Sequence, residues 1–226
     1  VLKTLDVDST ALGFSGGFPG DFIAQTLEDS NIQSDFVQVD EDTRINVKLK
    51  SGQETEINAP GPKVTHAQFE QLLSQIRRTT NDDIVIVAGS VPNSIPSDAY
   101  AQIAQITEKT GAQLVVDAEK DLVETVLPYR PLFIKPNKDE LEVMFNTTVK
   151  SDEDVIKYGK EILKKGAQSV IISLGGDGAI YVDQHQSIKA VNPQGHVVNT
   201  VGSGDSTVAG MVAGLSMGLN VDEAFQ

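Results

Sequence analysis

Apolar and polar residues along this chain follow two alternating patterns. Continuous apolar runs occur at Ile84–Val87, Leu114–Val116 and Val170–Ile172, and such runs are typical of strands that are covered on both faces. Between them, apolar side chains recur every three or four residues, as from Phe69 to Ile76, which predicts helices with one buried face. Alternating strands and helices predict an α/β fold with a mostly parallel sheet.

The first elements follow the same rhythm. Ser9–Phe14 is predicted to be a strand, and Pro19 then opens a helix, because proline is favoured in the first helical turn. Phe22, Ile23 and Leu27 recur at helical spacing, so we expect them to share one face of that helix.

One segment breaks the alternation. Thr43–Leu49 alternates polar and apolar residues with period two, residues 50–53 turn the chain, and Glu54–Asn58 runs back. This pattern predicts a β-hairpin with Ile45, Val47 and Leu49 on one face. An ordinary edge ribbon with a solvated polar face is the alternative interpretation.

Composition narrows the function classes. The chain of 226 residues with 39% hydrophobic residues can form one large domain. It has no cysteine and three scattered histidines, which argues against disulfides and a zinc site. A net charge of −14 argues against binding to nucleic acids and anionic membranes. Val1–Leu5 resembles the end of a helix and Asp222–Gln226 stops within a helical pattern, so we expect a piece of a longer protein.

The stretch with the clearest chemistry lies near the end of the sequence. An apolar segment from Val198 runs into Gly202-Ser203-Gly204, and a helical pattern with Val208 on its buried face follows at once. The first N–H groups of a helix lack partners and favour an anion, and glycine lets a ligand approach closely. Asp205 at this position is either a helix N-cap or a base that takes a proton from a group attacking a phosphate.

Two other phosphate-binding motifs fit this stretch poorly. A dinucleotide-binding turn requires a third glycine where Thr207 stands. No Gly-x₄-Gly-Lys-Ser/Thr loop occurs anywhere in the sequence.

Elsewhere, Asp117 ends a predicted strand and could face a site, although a helix cap is the simpler interpretation. Asn137 and Glu140 have the spacing of a helix cap, which on spacing alone is their better explanation.

Residues 199–205, Asn-Thr-Val-Gly-Ser-Gly-Asp, closely resemble the second signature of the ribokinase-like (PfkB) carbohydrate kinases. Three further segments are similar to motifs of that family: Gly89-Ser90-Val91-Pro92, Lys135–Glu140 and Ser173–Gly178. Residues 206–210 look like the hexose-phosphate branch, which contains 1-phosphofructokinases and tagatose-6-phosphate kinases. The resemblance extends over essentially the whole chain, although the family's first signature, Gly-Gly-Lys-Gly-x-Asn, does not occur in it.

The resemblance implies a three-layer α/β/α sandwich in which residues 1–226 are a single kinase domain, truncated at both ends, with a lid hairpin at about 43–58. It implies transfer of phosphate from ATP to a ketohexose monophosphate. Fructose 1-phosphate, giving fructose 1,6-bisphosphate, is the favoured substrate, because residues 43–49 look more like the 1-phosphofructokinases. Tagatose 6-phosphate is the alternative.

The same resemblance assigns roles to residues. Asp205 would be the catalytic base, and the N–H groups of Gly202, Ser203 and Gly204 would stabilise the transferred phosphoryl group. The expected sugar-phosphate contacts are Arg44, Asn46, Gly89 and Ser90. The expected contacts to ATP and its phosphates are Lys135, Asn137, Glu140, Ser173, Gly175, Gly176 and Gly178. Asn137 and Glu140 would act on Mg²⁺ through water.

The expected cofactors are therefore ATP and Mg²⁺, in a cytoplasmic enzyme without nucleic-acid or membrane partners. Pairing of two copies through the lid strands is a further expectation. Two other function classes stay open at this point: a non-catalytic sugar-binding or regulatory relative, and a dinucleotide-dependent oxidoreductase. An intact Asp205 beside Gly202-Ser203-Gly204 argues against the first.

Overall fold

The computed structural model describes residues 1–51, 53–193, 195–196 and 200–226. The chain divides into two compact units. The first unit comprises Val1–Val7, Arg77–Ser90 and Tyr100–Gln226, and the second comprises Asp8–Ile76 and Val91–Ala99.

Strands and helices are numbered here along the chain. The strands are β1 (Thr10–Ser15), β2 (Gln33–Gln38), β3 (Val47–Ser51), β4 (Gln53–Ile57), β5 (Ile84–Ala88), β6 (Gln113–Asp117), β7 (Phe133–Ile134), β8 (Ser169–Ser173), β9 (Ala179–Val182) and β10 (Ser187–Ala190). The α-helices are α1 (Gly17–Asp29), α2 (His66–Ile76), α3 (Ala99–Thr110), α4 (Lys120–Val126), α5 (Lys138–Phe145), α6 (Asp152–Lys165), α7 (Ser203–Ser216) and α8 (Val221–Phe225).

The first unit is built on a six-stranded sheet of order β10-β9-β8-β7-β6-β5. Strands β5 to β8 are parallel, while β9 and β10 are antiparallel to their neighbours. The predicted mostly parallel sheet is therefore confirmed. The central strands β6 and β8 are buried along most of their length, whereas the edge strand β5 is only half-buried.

Helices cover both faces of this sheet. On one face, Val208 and Met211 of α7 pack with Phe133 and Ile171 in one buried cluster. On the other face, Gly159 of α6 lies so close to the sheet that a Cβ there would be 3.0 Å from a methyl group of Val182. Each large apolar side chain buried in this way contributes roughly 1.5–3 kcal/mol. The first unit is thus the predicted helix–sheet–helix arrangement.

The second unit contains the parallel pair β1–β2, the antiparallel hairpin β3–β4, and helices α1 and α2. Helix α2 starts at a Thr-x-x-Gln capping box, in which Thr65 N–H donates to Gln68 Oε1 at 2.8 Å and Gln68 N–H donates to Thr65 Oγ1 at 3.3 Å. Its apolar stripe is buried at Phe69 and Leu73.

Two predictions concern elements of the second unit. Phe22 and Ile23 share a face of α1 as predicted, but they are 72% and 41% exposed, and the buried residues of α1 are Pro19 and Gly20 in its first turn. The hairpin is confirmed, but β3 begins only at Val47, so residues 43–46 precede the ladder. The predicted turn includes residue 52, which lies outside the described residues.

Within the described ranges, no helix combines the length and the apolar character needed to cross a membrane.

Candidate active site

The carboxyl ends of β5 to β8 lie at one edge of the first-unit sheet, because these strands are parallel. Three predicted site residues lie at this edge: Gly89 comes after β5, Lys135 follows β7 and Ser173 ends β8. Asp117, for which a helix cap was the simpler interpretation, ends β6 at the same edge. In open α/β sheets, ligands bind outside this edge.

Helix α7 begins at the glycine-flanked turn. Gly202 is the N-cap and has a φ of 80°, a left-handed conformation that favours glycine. The N–H of Ser203 already donates to the carbonyl oxygen of Thr200 at 3.1 Å. The N–H of Gly204 has no acceptor within the described residues, so it is better placed than that of Ser203 to meet an anion. Of the apolar segment before this turn, Thr200 is irregular and Val201 is part of the turn, while Val198 and Asn199 lie outside the described residues.

Asp205 is the third residue of α7, and it is exposed. The N-cap interpretation of Asp205 is therefore wrong, since Gly202 holds that position and no side chain caps the helix. The charge of Asp205 raises the pKa of Asp117, so these two carboxylates lie within electrostatic range of each other. An exposed carboxylate in the first turn, beside groups that attract anions, is suited to accept a proton from a substrate.

A buried ion pair lies beside this helix start. Nζ of Lys135 is 3.2 Å from Oδ1 of Asp117, and the two side chains are only 7% and 20% exposed. The same nitrogen lies 3.2 Å from the point that a Cβ on Gly204 would occupy, and Oδ2 of Asp117 lies 4.0 Å from it. Glycine at 204 therefore allows the ammonium group to sit against the first turn of α7.

The helix-cap interpretation of Asp117 is wrong. Helix α4 has Glu119 as its N-cap, and Asp117 instead pairs with Lys135. Burial raises the pKa of Asp117, the positive charge of Lys135 lowers it, and Asp205 raises it again. Its position at the end of a buried strand was the one signal in the sequence for this role.

Helix α5 opens with the predicted capping box. Glu140 N–H donates to Asn137 Oδ1 at 2.8 Å, and Asn137 N–H donates to Glu140 Oε2 at 2.7 Å. Burial raises the pKa of Glu140, and the charges of Asp117 and Glu119 raise it further, against the lowering effects of Asn137 N–H and Lys135. Asn137 and Glu140 therefore form the predicted helix cap. Glu140 also lies within electrostatic range of the Lys135–Asp117 ion pair.

The glycine-rich turn after β8 lies next to that helix start. Ser173 forms a parallel bridge with Asn137, and its N–H donates to the carbonyl oxygen of Pro136 at 3.1 Å. Gly175 and Gly176 are exposed, and a Cβ on either would meet nothing within 4 Å. Gly178 is buried with a φ of 89°, and a Cβ there would overlap the carbonyl oxygen of Ala190. The structure thus brings the predicted nucleotide-side residues together.

The predicted sugar-side turn of the first unit is held at Gly89. Its N–H donates to the backbone oxygen of Asp117 at 3.3 Å, and its carbonyl oxygen accepts from the hydroxyl of Tyr100 at 2.7 Å. Gly89 has a φ of 88°, and a Cβ there would meet nothing within 4 Å, while Ser90 is exposed. Nothing in the local sequence pattern indicated Tyr100.

Arg44 and Asn46 belong to the second unit. Two hydrogen bonds hold Thr43 to Gly16: Gly16 N–H donates to Thr43 Oγ1 at 3.0 Å, and Thr43 N–H donates to the carbonyl oxygen of Gly16 at 2.8 Å. The exposed side chain of Arg44 therefore follows a fixed backbone. Asn46 Oδ1 accepts the N–H of Ala59 at 3.2 Å, so this amide closes the base of the hairpin.

The donor set is suited to a hard cation. Within the described ranges, no cluster of three or more His, Asp or Glu side chains could hold a metal ion directly. Glu140 and Asp117 are nearby carboxylates whose charges disfavour each other, and Mg²⁺ prefers oxygen ligands and retains much of its water. Asn137 and Glu140, the two residues expected to act on Mg²⁺ through water, carry side-chain oxygens of this kind at the start of α5, and their role stays a prediction.

The whole chain is similar to members of one protein family. A family model described as pfkB family carbohydrate kinase matches residues 1–226. The chain is 42% identical to the 1-phosphofructokinase of Bacillus subtilis (strain 168) over 226 residues, which is all of this chain and 75% of that protein. It is 38% identical to the 1-phosphofructokinase of Borreliella burgdorferi over 228 residues (100% and 74%). It is 37% identical to the D-tagatose-1-phosphate kinase of Bacillus licheniformis over 227 residues (100% and 75%).

The chain is also similar to solved structures of phosphofructokinases and of a ribokinase. A provisionally named phosphofructokinase from Staphylococcus aureus is 78% identical with a TM-score of 0.89, covering 99% of this chain and 73% of that one. Phosphofructokinase-2 of Escherichia coli, in complex with fructose-6-phosphate, is 28% identical with a TM-score of 0.91 (99% and 75%). A ribokinase from Thermotoga maritima is 19% identical with a TM-score of 0.76 (98% and 72%) and shows the ribokinase-like fold alone.

Proposed function

Because this chain belongs to the pfkB family of carbohydrate kinases, we propose that it transfers the γ-phosphoryl group of ATP to a hydroxyl of a ketohexose monophosphate. The observation that carries this proposal is the start of α7. There, exposed Asp205 and the N–H of Gly204 lie beside the Lys135–Asp117 ion pair. A base, an anion site and a buried cation are thus supplied by three short segments.

In the proposed reaction, the carboxylate of Asp205 accepts the proton of the attacking sugar hydroxyl. The oxygen of that hydroxyl forms a bond to the γ-phosphorus as the bond to the bridging oxygen of ADP breaks, and ADP leaves with that electron pair. Such a base commonly contributes about 10²–10⁴-fold to the rate. Of the N–H groups at Gly202–Gly204 that are expected to stabilise the charge on the transferred group, that of Ser203 already donates to Thr200, whereas that of Gly204 has no acceptor among the described residues. One such free donor contributes on the order of 10²–10³-fold.

Lys135 would bind the phosphates of ATP. Its side chain is buried, and its ion pair with Asp117 holds the ammonium group in place. Ser173 and Gly175-Gly176 would line the nucleotide phosphates, because their turn lies next to Asn137. Mg²⁺, held through water by Asn137 and Glu140, would offset the charge of the ATP phosphates. In a chain with a net charge of −14, such local positive charge is needed before two anionic substrates can bind.

Fructose 1-phosphate is the proposed sugar substrate, and fructose 1,6-bisphosphate is the product. Two relatives named 1-phosphofructokinase, at 42% and 38% identity over the whole chain, support this choice. A tagatose phosphate is the second candidate. The sequence suggested tagatose 6-phosphate, whereas the relative at 37% identity is named for tagatose 1-phosphate. Both ketohexose 1-phosphates present the same phosphate position to the enzyme.

Arg44 is the proposed contact for the phosphate already on the sugar, since a planar guanidinium binds phosphate through two parallel hydrogen bonds. The Thr43–Gly16 bonds fix the backbone that carries it. The side-chain oxygen of Asn46 accepts the N–H of Ala59, so Asn46 would bind the sugar phosphate through its side-chain N–H groups.

Pairing of two copies through the lid hairpin, β3–β4, is part of the proposal. Ile45, Val47, Leu49 and Ile57 are 42–56% exposed, and an apolar hairpin face of this kind is commonly covered in an assembly. Light scattering should give the mass of a dimer, and Leu49→Lys should give that of a monomer. A monomeric unmutated protein would contradict the pairing. A cytoplasmic location of the enzyme is also part of the proposal.

A coupled ADP-release assay tests the proposed function directly. The native protein is assayed with ATP, Mg²⁺ and a panel of fructose 1-phosphate, fructose 6-phosphate and both tagatose phosphates. The proposal predicts the highest kcat/KM for fructose 1-phosphate. Activity with none of these sugars would contradict the kinase assignment. A thermal shift with nicotinamide dinucleotides but not with ATP would instead favour an oxidoreductase.

A further inference from the structure

Tyr100 is buried at the start of α3, with 5% of its surface exposed. Its hydroxyl donates to the carbonyl oxygen of Gly89 at 2.7 Å. Gly89 lies eleven residues earlier in the chain, in the exposed turn that follows β5. A side chain packed into the core therefore holds the backbone of a turn at the surface.

The same turn is held from its other side. The N–H of Gly89 donates to the backbone oxygen of Asp117 at 3.3 Å, so both backbone polar groups of Gly89 are hydrogen-bonded. Yet a Cβ on Gly89 would meet nothing within 4 Å. The backbone of this turn is thus fixed while the space in front of it is open, which is the arrangement expected where a ligand approaches a backbone.

Tyr100 also lies within electrostatic range of Asp117, which belongs to the phosphate side of the proposed site. Burial raises the pKa of Tyr100 to about 12, and the negative charge of Asp117 adds to the rise. The hydroxyl therefore keeps its proton at neutral pH, where it can donate to Gly89. Asp117 in turn holds Lys135 beside Gly204. Contacts through Gly89 and Asp117 consequently link Tyr100 to both sides of the proposed site.

We propose that Tyr100 is a positioning residue for the sugar phosphate, acting through the carbonyl oxygen of Gly89 to set the Gly89–Ser90 turn. This inference rests on the proposed function, because Gly89 and Ser90 are sugar contacts only if the chain is the kinase that the sequence resemblance implies. It adds a residue that no motif indicated. Because Tyr100 acts through the Gly89–Ser90 turn, its effect should fall on sugar affinity rather than on the phosphoryl-transfer step.

Tyr100→Phe removes the hydroxyl and keeps the ring that packs in the core. We expect KM for fructose 1-phosphate to rise about fivefold, the effect of losing one net hydrogen bond of ordinary strength. KM for ATP and kcat should stay within about twofold, since the groups on the phosphate side keep their contacts. Tyr158→Phe is the matched control, because it removes a hydroxyl 3.0 Å from Thr147 Oγ1, a residue without a proposed role.

Steady-state kinetics and thermal unfolding of the native protein and both variants give the answer. A selective rise in the sugar KM for Tyr100→Phe, absent in Tyr158→Phe, supports the inference. Unchanged kinetics in a folded Tyr100→Phe would overturn it while leaving the kinase assignment in place. A rise in both KM values together with a lower unfolding temperature would also overturn it, since these changes would indicate a general structural role. An unmutated protein without kinase activity would overturn both.

Discussion

Nζ of Lys135 lies 3.2 Å from Oδ1 of Asp117, and this ion pair joins the ends of two neighbouring strands, β6 and β7, beside the start of α7. The pair is buried enough that removing one partner leaves an uncompensated charge in a poorly solvated place. Its location next to Gly204 and within the electrostatic range of Asp205 is what distinguishes this edge of the sheet from an ordinary strand end.

Lys135→Met keeps the apolar stem and removes the ammonium group. We expect KM for ATP to rise at least about tenfold, because a charge-assisted hydrogen bond contributes roughly 1.5–3 kcal/mol. Lys164→Met is the control, since Lys164 forms an exposed ion pair with Glu161 at 2.7 Å and exposed pairs contribute little. Equal ATP kinetics for the two variants would remove Lys135 from the phosphate site.

The stability of the protein should depend on pH through Asp117. Its pKa is raised chiefly by burial, so the folded protein binds this proton more tightly than the unfolded chain. The contribution of Asp117 to the free energy of unfolding is therefore largest below its ordinary pKa of about 3.9 and falls as pH rises through the higher folded pKa. Asn at this position stays neutral throughout.

Urea denaturation at a series of pH values, from about 4 upwards, checks this sign. The free energy of unfolding of the unmutated protein minus that of Asp117→Asn should decrease as pH rises. A difference that increases with pH would mean that the attraction to Lys135, rather than burial, governs this carboxyl.

The glycine-rich turn after β8 should respond differently at two positions. Gly178→Ala forces a side chain into a left-handed conformation and into the carbonyl oxygen of Ala190, so the unfolding temperature should fall by several degrees, at about 2–4 °C per kcal/mol. A Cβ on Gly176 meets open space. Gly176→Ala should therefore keep the unfolding temperature while raising KM for ATP.

Calorimetry and kinetics of both variants test this contrast. A stable Gly178→Ala would contradict the geometry of the turn, and an unchanged KM for ATP in Gly176→Ala would place the nucleotide elsewhere.

Arg44→Ala should raise KM for the sugar phosphate at least about tenfold while leaving KM for ATP nearly unchanged, because a bidentate charge-assisted contact is lost. Arg78→Ala, which removes an exposed arginine in the turn that follows α2, is the control and should change neither value. Steady-state kinetics with each substrate varied in turn measure the effect. An equal rise in both KM values for Arg44→Ala would remove Arg44 from the sugar site.

Much of the fold was predictable because it depends on short-range patterns. The capping boxes at Thr65 and Asn137, the buried strand β6 and the glycine at the start of α7 are local features, and each is present in the structure. Periodicity identifies which residues share a face but not whether that face is covered. Phe22 was therefore predicted to share a helical face that the structure leaves largely exposed.

The site was less predictable where it depends on contacts distant in sequence. Asp117 was assigned as a cap because its partner Lys135 is eighteen positions away and Asp205 is further still. Tyr100 gave no signal at all, since its bond to Gly89 exists only once α3 packs against the end of β5. For Asp205, the local pattern allowed a cap or a base, and only the placement of Gly202 as the N-cap excluded the first.

The central claim is that Asp205 is the base of a sugar-phosphate kinase, and Asp205→Asn tests it most directly. This substitution keeps the size and polarity of the side chain and removes its ability to accept the proton. With ATP, Mg²⁺ and fructose 1-phosphate, kcat should fall by about 10²–10⁴-fold, while ATP affinity is held or improved because a negative charge near the phosphates is gone. A variant that keeps more than about half of the unmutated kcat, far above the loss expected for a missing base, would contradict the assignment.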